Sequence, residues 1–334
     1  MSNQQPVRIG FVGCGGNGKG HLQQLVANAD AQVVAVCDVS EQQVQEAAAL
    51  TGGAVYSDYK KMLDEHEVDA VYLSLPPFAH GEIEFDIIER GLPFFVEKPV
   101  ALQIGLANEI AAAVRAKNLM TCVGYQLRYG GSVDAARAVL QGATIGLASG
   151  FYWSGTGRAL AGRWWVWEKQ SGGQLVEQAT HTVDMMRYLV GEIEEVFSYQ
   201  DQRILGKDVT DCPDVTTFLA RFANGAVATF SCTSALHASD FYANFIDLTF
   251  NDSRLRWTYD STTITNGPDV REETGQASFN SVDDAFIQAL KSGDRSVIRS
   301  DYDDALRTLA VTLAANESAR RGQPVRLAEF IKDA

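Results

Sequence analysis

A mostly apolar run that ends in a cluster of glycines is the feature that most limits how this chain can fold. The run Val7–Val12 predicts a buried strand, and glycines follow at positions 13, 15, 16 and 18. They form the pattern G-x-G-x-x-G, with a further glycine at one open position. An amphipathic segment from Lys19 to about Asn28 predicts a helix directly afterwards. A strand, a glycine turn and a helix start form the arrangement that binds a dinucleotide.

Each glycine of this loop has a separate physical role. Gly13 allows backbone angles that a side chain would forbid. Gly15 has no Cβ, so a pyrophosphate can approach the main chain, and Gly18 allows the helix to pack closely on the strand. The free N–H groups and the dipole at the helix start favour a phosphate there. A purely structural glycine turn would show the same pattern.

A carboxylate after the second strand favours the dinucleotide interpretation. Val33–Cys37 predicts that strand, and Asp38 follows it, 20 residues beyond Gly18. A carboxylate at this position accepts hydrogen bonds from the adenosine ribose. No lysine or arginine lies beside Asp38 to neutralise a 2′-phosphate, so the sequence predicts NAD as cofactor rather than NADP.

The composition excludes several classes of protein. The 334 residues suggest two domains, and the net charge of −14 argues against a nucleic-acid or anionic membrane surface. We find no long apolar run and no signal-peptide pattern in MSNQQPVRIG, so we expect a cytoplasmic protein without a membrane span. The five cysteines and five histidines show no disulfide or metal-binding spacing, and we predict no metal site.

The order of predicted elements gives an α/β fold with two domains. Strands alternate with helices over residues 1–124, which predicts a Rossmann domain with a parallel sheet. Residues 125–334 predict an α+β domain with a mostly antiparallel, open-faced sheet, including a hairpin at Asn224-Gly225. The polar segment Asp260–Ser278 predicts a loop. The open sheet face predicts a homodimer or homotetramer.

Three segments carry polar residues suited to chemistry. Glu97-Lys98-Pro99 follows a strand, at the sheet edge where ligands of parallel sheets bind, although Lys98 is also compatible with an ordinary surface lysine. A helix predicted over Val176–Leu189 places Glu177, His181 and Asp184 on one face, which suits either a solvated surface or a cleft where a carboxylate orients the imidazole.

The third segment is GYQLRY, at positions 124–129, between the two predicted domains. Tyr125, Gln126 and Arg128 are compatible with substrate contacts or with a structural linker. A tryptophan-rich stretch over 153–167 includes Trp165, which suits a sugar-stacking wall, core packing or a subunit contact. His21, on the first helix, is interpreted as packed or capping.

Several of these motifs resemble the glucose–fructose oxidoreductase/inositol dehydrogenase family, also called Gfo/Idh/MocA. The resemblance spans nearly the whole chain and is carried by GCGGNG, VDAVYLSLPPFAH, GLPFFVEKP and GGQLVEQATHTVDMMRYLVGE. It implies an NAD(P)-dependent oxidoreductase acting on a sugar, inositol or related polyol. A non-catalytic sensor, an NAD-dependent redox glycosidase and a reductase of a non-sugar ketone or dihydrodiol are the alternatives.

The resemblance also assigns roles to individual residues. It implies that Lys98 contacts substrate and nicotinamide and that His181 accepts the hydroxyl proton, while Glu177 stands where many members carry Asp. The candidate catalytic residues are Lys98, His181 and Glu177. The candidate substrate-binding residues are Arg128, Tyr125, Asp184 and Trp165. The candidate cofactor-binding residues are Gly13, Gly15, Gly16, Asn17, Gly18, Asp38, Leu75, Pro76, His80, Glu97, Lys98 and Gln126.

Overall fold

The computed structural model describes residues 5–332. The first four residues of MSNQQPVRIG, where we find no signal-peptide pattern, and the last two residues of the chain lie outside the described residues. The described chain divides into two compact units. The first unit comprises the chain up to Val100, Glu109–Gln126 and Phe279–Asp304. The second unit comprises Ala101–Asn108, Leu127–Ser278 and the chain from Ala305 onward.

The first unit contains a six-stranded parallel sheet with the order β3-β2-β1-β4-β5-β6. Its strands are β1 (Val7–Val12), β2 (Ala31–Cys37), β3 (Ala54–Tyr56), β4 (Ala70–Leu73), β5 (Phe94–Val96) and β6 (Thr121–Val123). This strand order is that of a doubly wound dinucleotide-binding fold. The predicted Rossmann sheet is therefore confirmed.

Helices flank both sheets. Within residues 5–332 they are α1 (Gly16–Ala27), α2 (Glu41–Thr51), α3 (Tyr59–Glu65), α4 (Glu82–Glu89), α5 (Ile104–Lys117), α6 (Gly131–Leu140), α7 (Thr156–Ala159), α8 (Glu168–Ser171), α9 (Gln174–Glu177), α10 (Thr180–Val190), α11 (Val282–Ser292), α12 (Tyr302–Arg321) and α13 (Leu327–Lys332). Helix α2 begins directly after its N-cap residue, Ser40, whose hydroxyl accepts a hydrogen bond from the Gln43 amide.

Residues 279–304 cluster with the first unit, whereas the sequence prediction places them in the second domain. The reason lies in the aromatic core of the first unit. Phe286, on α11, is fully buried with its ring 5.7 Å from that of Tyr72 and 6.3 Å from that of Phe95. Asn28, after α1, also donates a hydrogen bond to Asp284.

The second unit contains a nine-stranded sheet with the order β14-β13-β12-β11-β7-β10-β9-β8-β15. Its strands are β7 (Ile145–Ser154), β8 (Ile193–Asp201), β9 (Val215–Phe222), β10 (Val227–Thr233), β11 (Phe241–Phe250), β12 (Ser253–Thr258), β13 (Thr262–Asn266), β14 (Asp269–Glu273) and β15 (Val325–Arg326). Strands β7 and β10 run parallel, and the other neighbouring strands run antiparallel. The predicted mostly antiparallel sheet is confirmed.

The predicted loop over 260–278 is wrong, because this segment contains the hairpin of β13 and β14. Gly267 has a φ of +54° at the turn, and Ile264 of β13 is buried while β14 is mostly exposed. A polar edge strand is a common protection against edge-to-edge pairing. The sequence of this segment suggests a loop because β14, its outer strand, has no apolar face.

No helix within residues 5–332 is both long and apolar enough to cross a bilayer. Across the same residues, no group of three or more His, Cys, Asp or Glu side chains has an arrangement suited to holding a metal ion.

Candidate active site

The glycine loop of the first unit joins β1 to α1. Gly13 has a φ of +93°, and a Cβ there would lie 2.2 Å from the Ser74 carbonyl oxygen. A Cβ on Gly18 would lie 2.1 Å from the Gly13 carbonyl oxygen, whereas one on Gly16 would meet no atom within 4 Å. The fold therefore requires glycine at 13 and 18, while the exposed start of α1, with Gly16 and Asn17, leaves open space where a phosphate can bind.

Asp38 stands at the end of β2, beside this loop. Its carboxylate accepts hydrogen bonds from the backbone amides of Cys14, at 2.7 Å, and Ser40, at 2.8 Å. Because Cys14 lies within the glycine loop, these hydrogen bonds hold the Asp38 carboxylate beside that loop, where the adenosine ribose is predicted to bind.

His80 follows β4, after the partly buried Leu75 and Pro76. Its Nδ1 lies 2.5 Å from Oε1 of Glu84, and the Gly81 amide donates to the other Glu84 oxygen at 2.6 Å. Among the described residues, the buried His80 Nε2 has no hydrogen-bond partner. Because a buried polar atom is normally hydrogen-bonded, this nitrogen suits a ligand.

Glu97 and Lys98 follow β5 at the same carboxyl edge of the sheet. Lys98 is only 6% exposed, and its backbone amide donates to Oε2 of Glu97 at 3.0 Å. After β6, Gln126 is exposed, whereas Tyr125 is 1% exposed. Tyr125 is thus buried, as Lys98 is.

The residues of the first unit fit a dinucleotide. The open start of α1 suits the pyrophosphate, the Asp38 carboxylate suits a ribose, and the unpaired His80 Nε2 suits a polar ligand atom. All three features occur where parallel strands end, as expected for a ligand of this fold.

In the second unit, the prediction of one continuous helix over 176–189 is wrong. Helix α9 ends at Glu177 and α10 begins at Thr180. The amides of Gln178 and Ala179 both donate to the Gln174 carbonyl, and the Thr182 amide then donates to Ala179. These backbone hydrogen bonds include pairs that are five and three residues apart, whereas an α-helix joins residues four apart. Glu177 therefore does not lie on one regular helix face with His181 and Asp184.

Glu177 is 3% exposed, and its carboxylate accepts a hydrogen bond from the Gln178 side chain. The Tyr152 hydroxyl donates to Oε1 of the Gln178 side chain at 3.2 Å. Burial, reinforced by the Glu177 charge, holds the pKa of Tyr152 above its usual value. His181, at the start of α10, is half-buried.

Asp184 and Arg128, both predicted to bind substrate, form a buried ion pair with each other. Nε and Nη2 of Arg128 lie 2.7 and 2.5 Å from the two carboxylate oxygens of Asp184. Thr308 also donates to Asp184 at 2.9 Å. The structure therefore gives these two residues an internal role that the sequence pattern does not indicate.

Trp165 lies in a short 3-10 turn over Trp164–Val166. Its side chain and that of Glu177 line the same small cavity, together with Gln178 and Leu160. Trp165, a predicted substrate-binding residue, thus lines the same cavity as Glu177, a predicted catalytic residue.

The sequence does not indicate the hydrogen-bond partners of several residues near the site. Glu84 lies four residues after His80, and this spacing is the sequence signal for the contact between their side chains. Asp283 bonds to His21 across 262 positions of the sequence, and no local signal indicates that contact.

Comparison with family models decides the class of the chain. Residues 7–125 match the model described as "Oxidoreductase family, NAD-binding Rossmann fold", and residues 133–251 match the GFO/IDH/MocA C-terminal domain. The chain belongs to the Gfo/Idh/MocA family. It is accordingly an oxidoreductase with an NAD-binding Rossmann domain, as the sequence predicts.

Named relatives span most of the chain. The scyllo-inositol 2-dehydrogenase (NAD(+)) of Bacillus subtilis is 25% identical over 340 residues, covering 97% of both chains. The levoglucosan dehydrogenase of Pseudarthrobacter phenanthrenivorans is 27% identical over 278 residues, covering 72% of this chain and 71% of the relative.

A solved structure shares the same fold. The WlbA dehydrogenase from Bordetella pertussis, in complex with NADH and UDP-GlcNAcA, has a TM-score of 0.82 at 23% identity. The superposition covers 96% of this chain and 99% of that one. This Gfo/Idh/MocA fold thus extends through both units.

Proposed function

We propose that this chain is an NAD-dependent dehydrogenase acting on a secondary hydroxyl group, or the corresponding ketone, of a sugar, inositol or related polyol. The observation that carries the proposal is Lys98, which follows β5 at the carboxyl edge of a family-matched Rossmann sheet. Relatives named as scyllo-inositol and levoglucosan dehydrogenases support the substrate class.

Three side chains carry the proposed chemistry. Bound NAD supplies the hydride acceptor. Lys98 donates a hydrogen bond to the substrate oxygen and stabilises the negative charge that develops on it. His181 accepts the hydroxyl proton, and Glu177 orients its imidazole. Acid–base assistance of this kind typically contributes about 10²–10⁴-fold to the rate.

NAD rather than NADP is the proposed physiological cofactor. The Asp38 carboxylate is anchored by two backbone amides at the end of β2. A 2′-phosphate would place a second anion near this carboxylate, whereas ribose hydroxyls can donate hydrogen bonds to it.

The substrate class can be tested by incubating the purified protein with NAD and a panel of inositols, aldoses, anhydrosugars and polyols. We expect reduction of NAD with at least one cyclic polyol or sugar. Tight NAD binding without reduction anywhere in the panel would contradict the proposal. Release of a free sugar from glycosides would then identify a redox glycosidase, and its absence would favour a sensor.

The open face of the nine-stranded sheet is proposed to bind a second copy of this chain. Tyr199, Leu219 and Val227 are exposed on it, at 66%, 57% and 48%, and Phe151 and Trp153 both lie on β7, which pairs with β10. Apolar surface of this kind marks interfaces. Light scattering should show a dimer or tetramer that Leu219→Asp dissociates, and a monomeric wild type would contradict this proposal.

A cytoplasmic location is the proposed setting. All five cysteines are buried free thiols, as is usual where the compartment keeps thiols reduced. Fractionation of the source cells with an antibody to this chain tests the proposal, and recovery outside the cytoplasmic fraction would contradict it.

A further inference from the structure

His21, on α1, lies between two buried carboxylates of the first unit. Its Nδ1 is 2.8 Å from Oδ1 of Asp283, and its Nε2 is 2.8 Å from Oε1 of Glu97. The side chains of His21, Glu97 and Asp283 are 12%, 8% and 4% exposed. The imidazole therefore connects α11 to the segment that follows β5.

This geometry favours a protonated ring. A carboxylate oxygen faces each ring nitrogen, and only the imidazolium form has an N–H on both. Burial by itself lowers the pKa of His21, but the charges and hydrogen bonds of Asp283 and Glu97 outweigh that effect and raise the pKa to about 10. His21 is thus a buried cation at neutral pH.

The second oxygen of Glu97 extends this connection to Lys98. Oε2 accepts the Lys98 backbone amide at 3.0 Å, while Oε1 is held by His21. Gly124 packs against the same carboxylate, since a Cβ there would lie 2.7 Å from Oε1. The Glu97 side chain is therefore confined to one position directly beside Lys98.

We infer that His21 is a positioning residue for Lys98, which it holds in place through the Glu97 carboxylate, with Asp283 as its anchor. The inference rests on the catalytic role proposed for Lys98. Buried ion pairs contribute little to net stability compared with well-packed apolar residues, so stability alone gives a weak reason for three charged groups here. Displacement of a catalytic group by about 1 Å can cost about 10²-fold in rate.

The kinetic test uses His21→Gln and the panel substrate that wild type oxidises. We expect kcat to fall by about 10–100-fold, while the dissociation constant for NAD changes by less than about threefold. Asp283→Asn keeps the imidazole and should lower kcat in the same direction but less, which provides a milder variant if His21→Gln fails to fold.

A double-mutant cycle separates positioning from a general structural effect. If His21 acts through Glu97, then His21→Gln should change kcat by less than about threefold in a Glu97→Gln background. His66→Gln is the matched control, because His66 also lies in the first unit, with its ring packed on the edge of Tyr56. It should leave kcat unchanged.

A second readout requires no substrate. In protein labelled with ¹⁵N-lysine, the Lys98 amide resonance is assigned by its loss in Lys98→Met. We expect His21→Gln and Asp283→Asn to shift or broaden this resonance, and His66→Gln to leave it in place. An unchanged Lys98 resonance, or a kcat loss that stays fully additive with Glu97→Gln, overturns the inference.

These readouts also distinguish the two proposals. If Lys98→Met turns over as fast as wild type, the catalytic role proposed for Lys98 fails and the inference about His21 fails with it, whatever the resonance shows. If Lys98→Met is inactive and His21→Gln retains full kcat, the inference alone fails.

Discussion

The Asp184 carboxylate receives two hydrogen bonds from the Arg128 guanidinium, at 2.7 and 2.5 Å, with both side chains almost fully buried. Their charges compensate each other inside the second unit. The ring of Tyr188 stacks 4.6 Å from the same guanidinium. We infer from this packing that Arg128 and Asp184 form an internal structural pair.

Arg128→Met should therefore reduce stability more than it affects substrate binding. Removing the Arg128 guanidinium breaks this buried pair and leaves Asp184 with the more distant charge of Arg187, whose Nη1 lies 4.0 Å from Oδ1. Breaking a buried pair in this way costs about 3–5 kcal/mol of unfolding free energy. Urea unfolding measures this loss. Arg203→Met, which removes the exposed Arg203–Asp201 pair, is the control and should cost about 0–1 kcal/mol. Unchanged stability with a raised KM would instead favour the predicted substrate contact.

Two glycines of the first loop should respond differently to alanine. Gly18→Ala forces a Cβ to 2.1 Å from the Gly13 carbonyl oxygen, and overpacking of this kind costs about 1–3 kcal/mol. Gly16→Ala meets open space, so its unfolding free energy should stay within about 0.5 kcal/mol of wild type while NAD binding weakens. Unfolding in urea and NAD titration measure the two effects. Equal stability of the two variants would contradict the packing argument.

Asp38→Asn should reduce discrimination between the two nicotinamide cofactors. The amide side chain still accepts a backbone hydrogen bond but loses the charge that faces the ribose. A charge-assisted hydrogen bond contributes about 1.5–3 kcal/mol, so the preference for NAD should fall by about 10–100-fold. Dissociation constants for NAD and NADP measure this change, and an unaltered ratio would place the selectivity elsewhere.

The stability provided by His21 should depend on pH. Its pKa rises from 6.5 to about 10 on folding, because the Asp283 and Glu97 charges outweigh the opposing effect of burial. The stabilisation is fully present below pH 6.5 and is lost as the pH rises through about 10. Tyr72 also faces the ring, and burial keeps its hydroxyl neutral by raising its pKa.

The difference in unfolding free energy between wild type and His21→Gln should consequently shrink between those two pH values. Urea unfolding at several pH values across the window measures it. A difference that stays constant through pH 10 would mean that the folded protein does not hold His21 as the imidazolium.

The sequence predicts those parts of the fold that depend on local pattern. Strand β1 has the predicted bounds, Val7–Val12, and the Asn224-Gly225 turn joins β9 to β10 as expected. Apolar runs, capping residues and turn residues act over a few positions, so they can be read in order along the chain.

The sequence does not predict features set by distant contacts. The break after Glu177 depends on which amides reach the Gln174 carbonyl, and the apolar spacing continues across it unchanged. The Asp283–His21 contact joins residues 262 positions apart, and the pairing of Arg128 with Asp184 joins residues 56 positions apart. Such contacts arise from packing of whole elements, which a single sequence does not display.

We propose that Lys98 acts on the reacting oxygen and is not required for cofactor binding. The most direct test compares wild type and Lys98→Met for turnover, by the absorbance of reduced nicotinamide, and for NAD affinity, by titration. We expect kcat to fall by at least about 10²-fold with nearly unchanged NAD affinity. Equal losses of turnover and affinity, or full turnover by the variant, would contradict it.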